Sequence, residues 1–171
     1  MTMKSIKIKN TQESNFNILL LPCNYADNKT IDFLDTIVCD DTLKCKFDIT
    51  ILYSILSKEE LSSLNLRLFL KYLPDGENQK SVYQEIINDT FNIGKRNDDS
   101  SSQNKKSKKE LQVNLPKGIQ TQESGKYIIR YSTKMFSYGD YQFELYYRFN
   151  NSEEYTLATI QPLTIVPQSN D

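Results

Sequence analysis

Leu43-Lys44-Cys45-Lys46-Phe47-Asp48-Ile49-Thr50-Ile51-Leu52-Tyr53-Ser54-Ile55 is the stretch that decides the fold class. Every odd position in it is apolar or aromatic, and every even one except Leu52 is polar. Successive side chains of a strand point to opposite faces, so this is a strand with one buried and one wet face. The phase places Cys45 in the core with Leu43 and Phe47, where a reactive thiol is not expected.

Outward from it the period of two recurs. Ile6 and Ile8 predict a short edge strand guarded by Lys4, Lys7 and Lys9. Phe16 to Leu21 reads as a strand buried on both faces and stopped by Pro22, and Ile31 to Val38 as a weaker one broken by Asp32 and Asp35. Ser57-Lys58-Glu59-Glu60 fits a capping box; with Leu61 and Leu64 at helical spacing it predicts one short helix between two strands. Leu64, Leu66, Leu68, Leu70 and Tyr72 share the next strand face, Pro74-Asp75-Gly76 turns, and Val82 to Ile93 resumes β structure.

Lys95 to Lys109 contains no apolar residue. Nothing in it can offset the entropy of ordering, so residues 95–110 are expected to form a long mobile loop inserted between strands. Its basic excess offers a secondary contact, although charge runs usually only stay wet. Leu111, Val113 and Leu115 alternate before the turn at Pro116-Lys117-Gly118. Ser124-Gly125 precedes a strand at Tyr127 to Tyr131. Tyr141, Phe143, Leu145, Tyr147 and Phe149 form one strand face, Asn150-Asn151-Ser152 turns the chain, and Tyr155 to Val166 returns antiparallel. Pro162 cannot donate to a ladder and marks that last strand as an edge or a bend.

The sum is an all-β chain: an antiparallel two-sheet sandwich with one short helix and a long mobile loop, forming a single domain over 1–171. At 171 residues, roughly 70% of the open-chain surface can be buried, enough for a core without staples. The C-terminal third resembles the immunoglobulin-like superfamily in Gly139-x-Tyr141, the alternation after it, and a final hairpin ending Pro162-Leu163-Thr164-Ile165-Val166. The resemblance covers about 30 residues and implies that Tyr141 bonds back to the chain and pins a corner. The chain departs from true immunoglobulin domains in having no Trp and no cysteine beyond Cys45 for a long-range inter-sheet disulfide.

Composition removes several functions. There is no His, which excludes Ser-His-Asp and Cys-His catalysis and imidazole-bound zinc. A net charge of -1 argues against a dedicated nucleic-acid binder. Three irregularly spaced cysteines, Cys23, Cys39 and Cys45, read as buried small hydrophobes in a reducing compartment rather than a disulfide framework. No apolar run approaches the ~20 residues of a membrane span, and the opening residues carry no secretory pattern. The expected address is cytoplasmic.

Asp40-Asp41 and Glu59-Glu60 are adjacent carboxylate pairs, but they sit where a turn and a helix start are expected, not in a cleft. Asp75-Gly76-Glu77-Asn78 lacks the spacing of a calcium loop, and no glycine-rich phosphate loop exists. The feature that goes beyond fold is the aromatic cluster from Tyr127 to Tyr155. Tyr146 is out of phase with its core-facing neighbours and faces outward beside Gln142, Glu144 and Arg148. Exposed Tyr with Arg nearby is what interaction surfaces are enriched in. The expectation is therefore a non-enzymatic module without cofactor or metal, binding a protein partner through Gln142, Glu144, Tyr146 and Arg148. The alternatives are a structural component of a self-assembling particle such as a bacteriophage virion and, more weakly, a carbohydrate- or lipid-binding module.

Overall fold

The computed structural model describes residues 14–27, 31–76, 80–93 and 120–169. The expected edge strand at Ile6 and Ile8, the 95–110 loop and the strand at Leu111 to Leu115 lie outside the described residues.

Among the described residues the chain is all β. Its strands are β1 (Ser14–Ala26), β2 (Ile31–Phe33), β3 (Thr36–Cys39), β4 (Lys44–Ser57), β5 (Ser63–Leu73), β6 (Tyr83–Asn92), β7 (Thr121–Lys134), β8 (Gly139–Phe149) and β9 (Thr156–Pro167). They form a four-stranded sheet in the order β2-β1-β4-β7 and a five-stranded sheet in the order β3-β9-β8-β5-β6. Every pairing is antiparallel except β3 with β9.

The alternation of β4 does what the sequence requires. Cys45, Phe47, Ile49, Ile51 and Ile55 are buried against Leu64, Leu66, Leu68 and Leu70 of β5 and Phe143 and Leu145 of β8. Phe47 sits at the centre, edge-on to Tyr131 at 5.4 Å and to Phe143 at 6.0 Å. Burying such side chains contributes about 1.5–3 kcal/mol each. The wet face is drier than the pattern implies, since Asp48 and Thr50 are buried there too. Asp48 accepts the Ala26 N–H at 2.9 Å beside a second, smaller cluster of Leu21, Cys23 and Ala26.

Four expectations need correction. The short helix at Ser57–Glu60 is absent. Ser57 Oγ does accept the Glu59 N–H at 3.0 Å, as a cap would, but the chain enters β5 at Ser63. Leu61 is drawn into the core, with its N–H bonded to Thr121 Oγ1 at 3.0 Å. Second, Pro22 does not stop β1, which runs on to Ala26. A strand residue's N–H and C=O point to the same side, and the Pro22 carbonyl accepts from Leu34 N at 2.9 Å, on the β2 side. The missing N–H therefore faces away from β4, and no β1–β4 bond is lost. Third, β1 is not buried on both faces, for Leu19 is half exposed.

Fourth, the cysteines are not all free. Cys39 and Cys45 form a disulfide six residues apart in sequence, and Cys23 alone is a buried thiol. The bond ties edge strand β3 of one sheet to β4 at the centre of the other. Between them Leu43 has φ 56°, a left-handed conformation uncommon for a bulky side chain.

The corner before β8 is pinned as the resemblance implies. Tyr141 donates its phenol to Ser137 O at 2.7 Å and accepts the Ser137 N–H at 2.9 Å. Asn150 and Asn151 turn the chain after β8 with φ of 51° and 55°. Asparagine is among the few residues that tolerate this region. Pro162 lies on the part of β9 that β3 does not reach, since β3 pairs only from Thr164 onward.

Candidate functional site

The four residues singled out from the sequence stand in one row on β8, along the outer face of the five-stranded sheet. Cross-strand register sets their neighbours: on β5, Asn65 lies opposite Arg148, Arg67 opposite Tyr146, Phe69 opposite Glu144 and Lys71 opposite Gln142. On the other side, β9 places Leu157 opposite Tyr146, Ile160 opposite Glu144 and Pro162 opposite Gln142. A bulge between Leu145 and Tyr146 shifts the register there. It brings Leu157 and Ile160, three residues apart, onto the same face.

Glu144 is the hub. Only 8% exposed, it accepts the Tyr146 phenol at 2.9 Å, accepts from the Gln142 amide, and pairs with Lys71 Nζ at 3.6 Å. Three donors on one carboxylate hold Tyr146 and Gln142 in place. Burial, then the hydrogen bond to Glu144 and the charge behind it, pushes the Tyr146 phenol up to about 12. The Lys71 ammonium is raised by its hydrogen bond to Tyr83 and by Glu144.

Around this hub the side chains stack. Phe69 meets Tyr146 edge-on at 5.9 Å, and the Arg67 guanidinium lies 5.0 Å from the Phe69 ring centre. Arg67 Nε and Nη2 reach Glu85 at 3.0 and 3.3 Å. Tyr155 takes two guanidinium groups, Arg148 at 4.5 Å and Arg67 at 5.5 Å. The row is thus a half-buried floor, and the exposed large hydrophobic side chains around it are Tyr83, Leu157 and Ile160.

The sequence reading did not identify Arg67, Phe69, Tyr83, Leu157 or Ile160 as part of this face. Phe69 carried a signal: it is the one aromatic out of phase in the Leu64 to Tyr72 alternation. Leu157 and Ile160 carried none, because a bulge is invisible to a period of two. Of the carboxylate pairs, Asp40 accepts from Thr42 N at 2.9 Å and from its hydroxyl; these bonds hold the Asp40 carboxyl below its usual range. That is turn chemistry. Among the described residues no group of three or more His, Cys, Asp or Glu is placed to hold a metal ion. No helix among them is long and apolar enough to cross a membrane.

No protein-family model and no curated protein sequence matches the chain. A crystal structure of a Bordetella pertussis protein provisionally named ApaA is similar over 90% of this chain and 95% of that one, at 8% identity and a TM-score of 0.35. So distant a likeness bears on neither fold nor function.

Proposed function

We propose that this protein is a non-enzymatic module that binds another protein through the outer face of its five-stranded sheet. One observation carries the reading. Leu157 and Ile160 stay 45% and 48% exposed on strand positions that normally carry polar side chains, beside Tyr146 and Glu144 of β8, and the exposed Tyr83 stands across β8 and β5 at the far side of the same face. Exposed apolar and aromatic side chains over a half-buried polar floor held by Lys71–Glu144, with the more exposed Arg67–Glu85 pair beside them, fit the make-up of a protein interface. Gln142, Glu144, Tyr146 and Arg148 form its floor.

The test substitutes the exposed groups, because truncating Tyr146 would also disturb Glu144. Ile160→Lys combined with Tyr83→Ala, on a tagged protein, is expected to lose a stoichiometric partner in capture from the native cell. Its melting temperature should stay within a few degrees of the parent's. The same partner retained by the double variant overturns the reading.

Self-assembly, as in a virion component, is the second reading. It is favoured by β7, an edge strand of 14 residues with no strand on its outer side among the described residues. Growth of oligomers with concentration in light scattering would select it over a defined monomer or dimer. The immunoglobulin-like character of the C-terminal third is kept as part of the proposal, supported by the Tyr141–Ser137 corner. The cytoplasmic address stands only if Cys39 and Cys45 are reduced in the cell, since such bonds persist in oxidising compartments.

A further inference from the structure

β7 is an open edge. It pairs with β4 in unbroken register from Thr121 opposite Ser57 to Lys134 opposite Lys44, and among the described residues no strand lies on its other side. In an antiparallel ladder alternate residues turn their N–H and C=O groups away from the partner strand, so half of the backbone groups of β7 face outward. Long edges are normally bent by a bulge, interrupted by proline or guarded by charge, because they template the pairing of another chain. β7 has no register shift against β4 and no proline.

Its guard is charge. Ile128 packs against Leu21, Cys23 and Ala26 on the outer face of the four-stranded sheet, and the exposed Lys126, Arg130 and Lys134 share its phase. The outward positions of β7 thus carry three cations and no carboxylate. Register adds the exposed Lys44 opposite Lys134 and Lys46 opposite Ser132 on the same face. None of the five forms an ion pair among the described residues. Lys126 donates to the Asp27 carbonyl instead. Of the carboxylates nearby, Asp48 is buried opposite Arg130 and accepts the Ala26 N–H, Asp40 accepts from Thr42, and Asp27 accepts the Tyr25 phenol.

Like charges directly opposite one another destabilise a ladder. A second copy paired antiparallel on β7 would set these cations of both chains on one face. With Ile128 on the two-fold axis Lys126 meets Arg130, and with Arg130 on the axis Lys126 meets Lys134. The same row suits a strand of opposite charge. We infer that β7 accepts an acidic, extended segment of another protein as an added strand. Backbone hydrogen bonds supply the affinity, and carboxylates at every fourth residue face Lys126, Arg130 and Lys134. An apolar side chain between two of those carboxylates lies beside Ile128. This edge belongs to the other sheet from the face proposed above, and either reading can fail without the other.

The test is a fluorescence-anisotropy titration of the full chain with the dye-labelled peptide Glu-Val-Thr-Val-Glu-Val-Val-Thr-Glu amide, and with its counterpart carrying Lys for each Glu. The acidic peptide is expected to bind about tenfold tighter, the sum of three exposed charge pairs, and to lose that margin at about 1 M salt. Arg130→Glu combined with Lys134→Glu should turn the preference toward the Lys peptide, which a loss of folding would not do. In hydrogen exchange followed by NMR, the outward amides of β7 should exchange freely in the unliganded chain and slow when the acidic peptide binds. Equal affinity for the two peptides, no binding of the acidic one, or an oligothymidylate binding as tightly would each overturn the inference. So would outward amides already protected in the free chain: protection lost on dilution gives the edge to a second copy, and protection that survives dilution gives it to the chain itself. The peptide comparison uses the unaltered protein, so it stands even if the variant does not fold.

Discussion

Gly125 stands opposite Tyr53 in the β4–β7 ladder, and a Cβ built on it would lie 2.4 Å from the Tyr53 ring. The phenol lies flush on the glycine backbone, and burial raises its pKa. Gly125→Ala is therefore expected to cost about 1–3 kcal/mol, the usual range for overpacking, read as a lower urea midpoint. In a Tyr53→Leu background the same change should cost markedly less. The sequence suggested a different role, with Ser124-Gly125 as punctuation ahead of a strand, yet both residues lie inside β7. The need for glycine arises from a ring on a distant strand, which local spacing does not record. Tyr141 is the opposite case. Its partner Ser137 is four residues away, and the corner was legible from the chain alone.

At the scale of elements, alternation announced β4, β5, β8 and the face shared by Gln142, Glu144, Tyr146 and Arg148, because a strand's periodicity is written in consecutive residues. What broke the period was lost. The bulge beside Tyr146 hid the exposed pair Leu157 and Ile160, and the capping box suggested a helix where tertiary bonds to Thr121 prevail. The Cys39–Cys45 bond was missed for a related reason: counting cysteines does not reveal that a tight turn brings the ends of β3 and β4 together. That loop is short, so closing it contributes about 2 kcal/mol by chain entropy. Reduction is expected to lower the melting temperature by about 6 °C. Thiol titration of the denatured, freshly isolated protein should find one thiol per chain if the bond is present in the cell and three if it is not.

For the whole molecule, pH resistance follows from its tyrosines. Burial is the leading cause that raises the phenols of Tyr53, Tyr127, Tyr131, Tyr141 and Tyr146. A raised phenol favours the fold while it is neutral, so its contribution is complete below the ordinary value near ~10 and lost as pH climbs through the folded value. For Tyr146 that value is about 12. With no His in the chain, the melting temperature should be nearly level from about pH 6 to 9 and fall between about 10 and 12, with late-ionising phenols visible at about 295 nm. A decline already complete at about pH 9 would contradict this. The topology has a further consequence, for the order of events as the chain is made. β4 meets β7, and β5 meets β8, only after long intervening stretches, and Ser62 bonds a residue 88 positions away. β3, made early, waits for β9, the last of the strands among the described residues. A nascent chain can therefore pair β1 with β4 and β5 with β6 but can close neither sheet, so the apolar faces of β4 and β5 stay open until synthesis has passed β7, β8 and β9. Folding of this kind, in milliseconds to seconds, leaves chaperones their longest opportunity at the ribosome rather than after it.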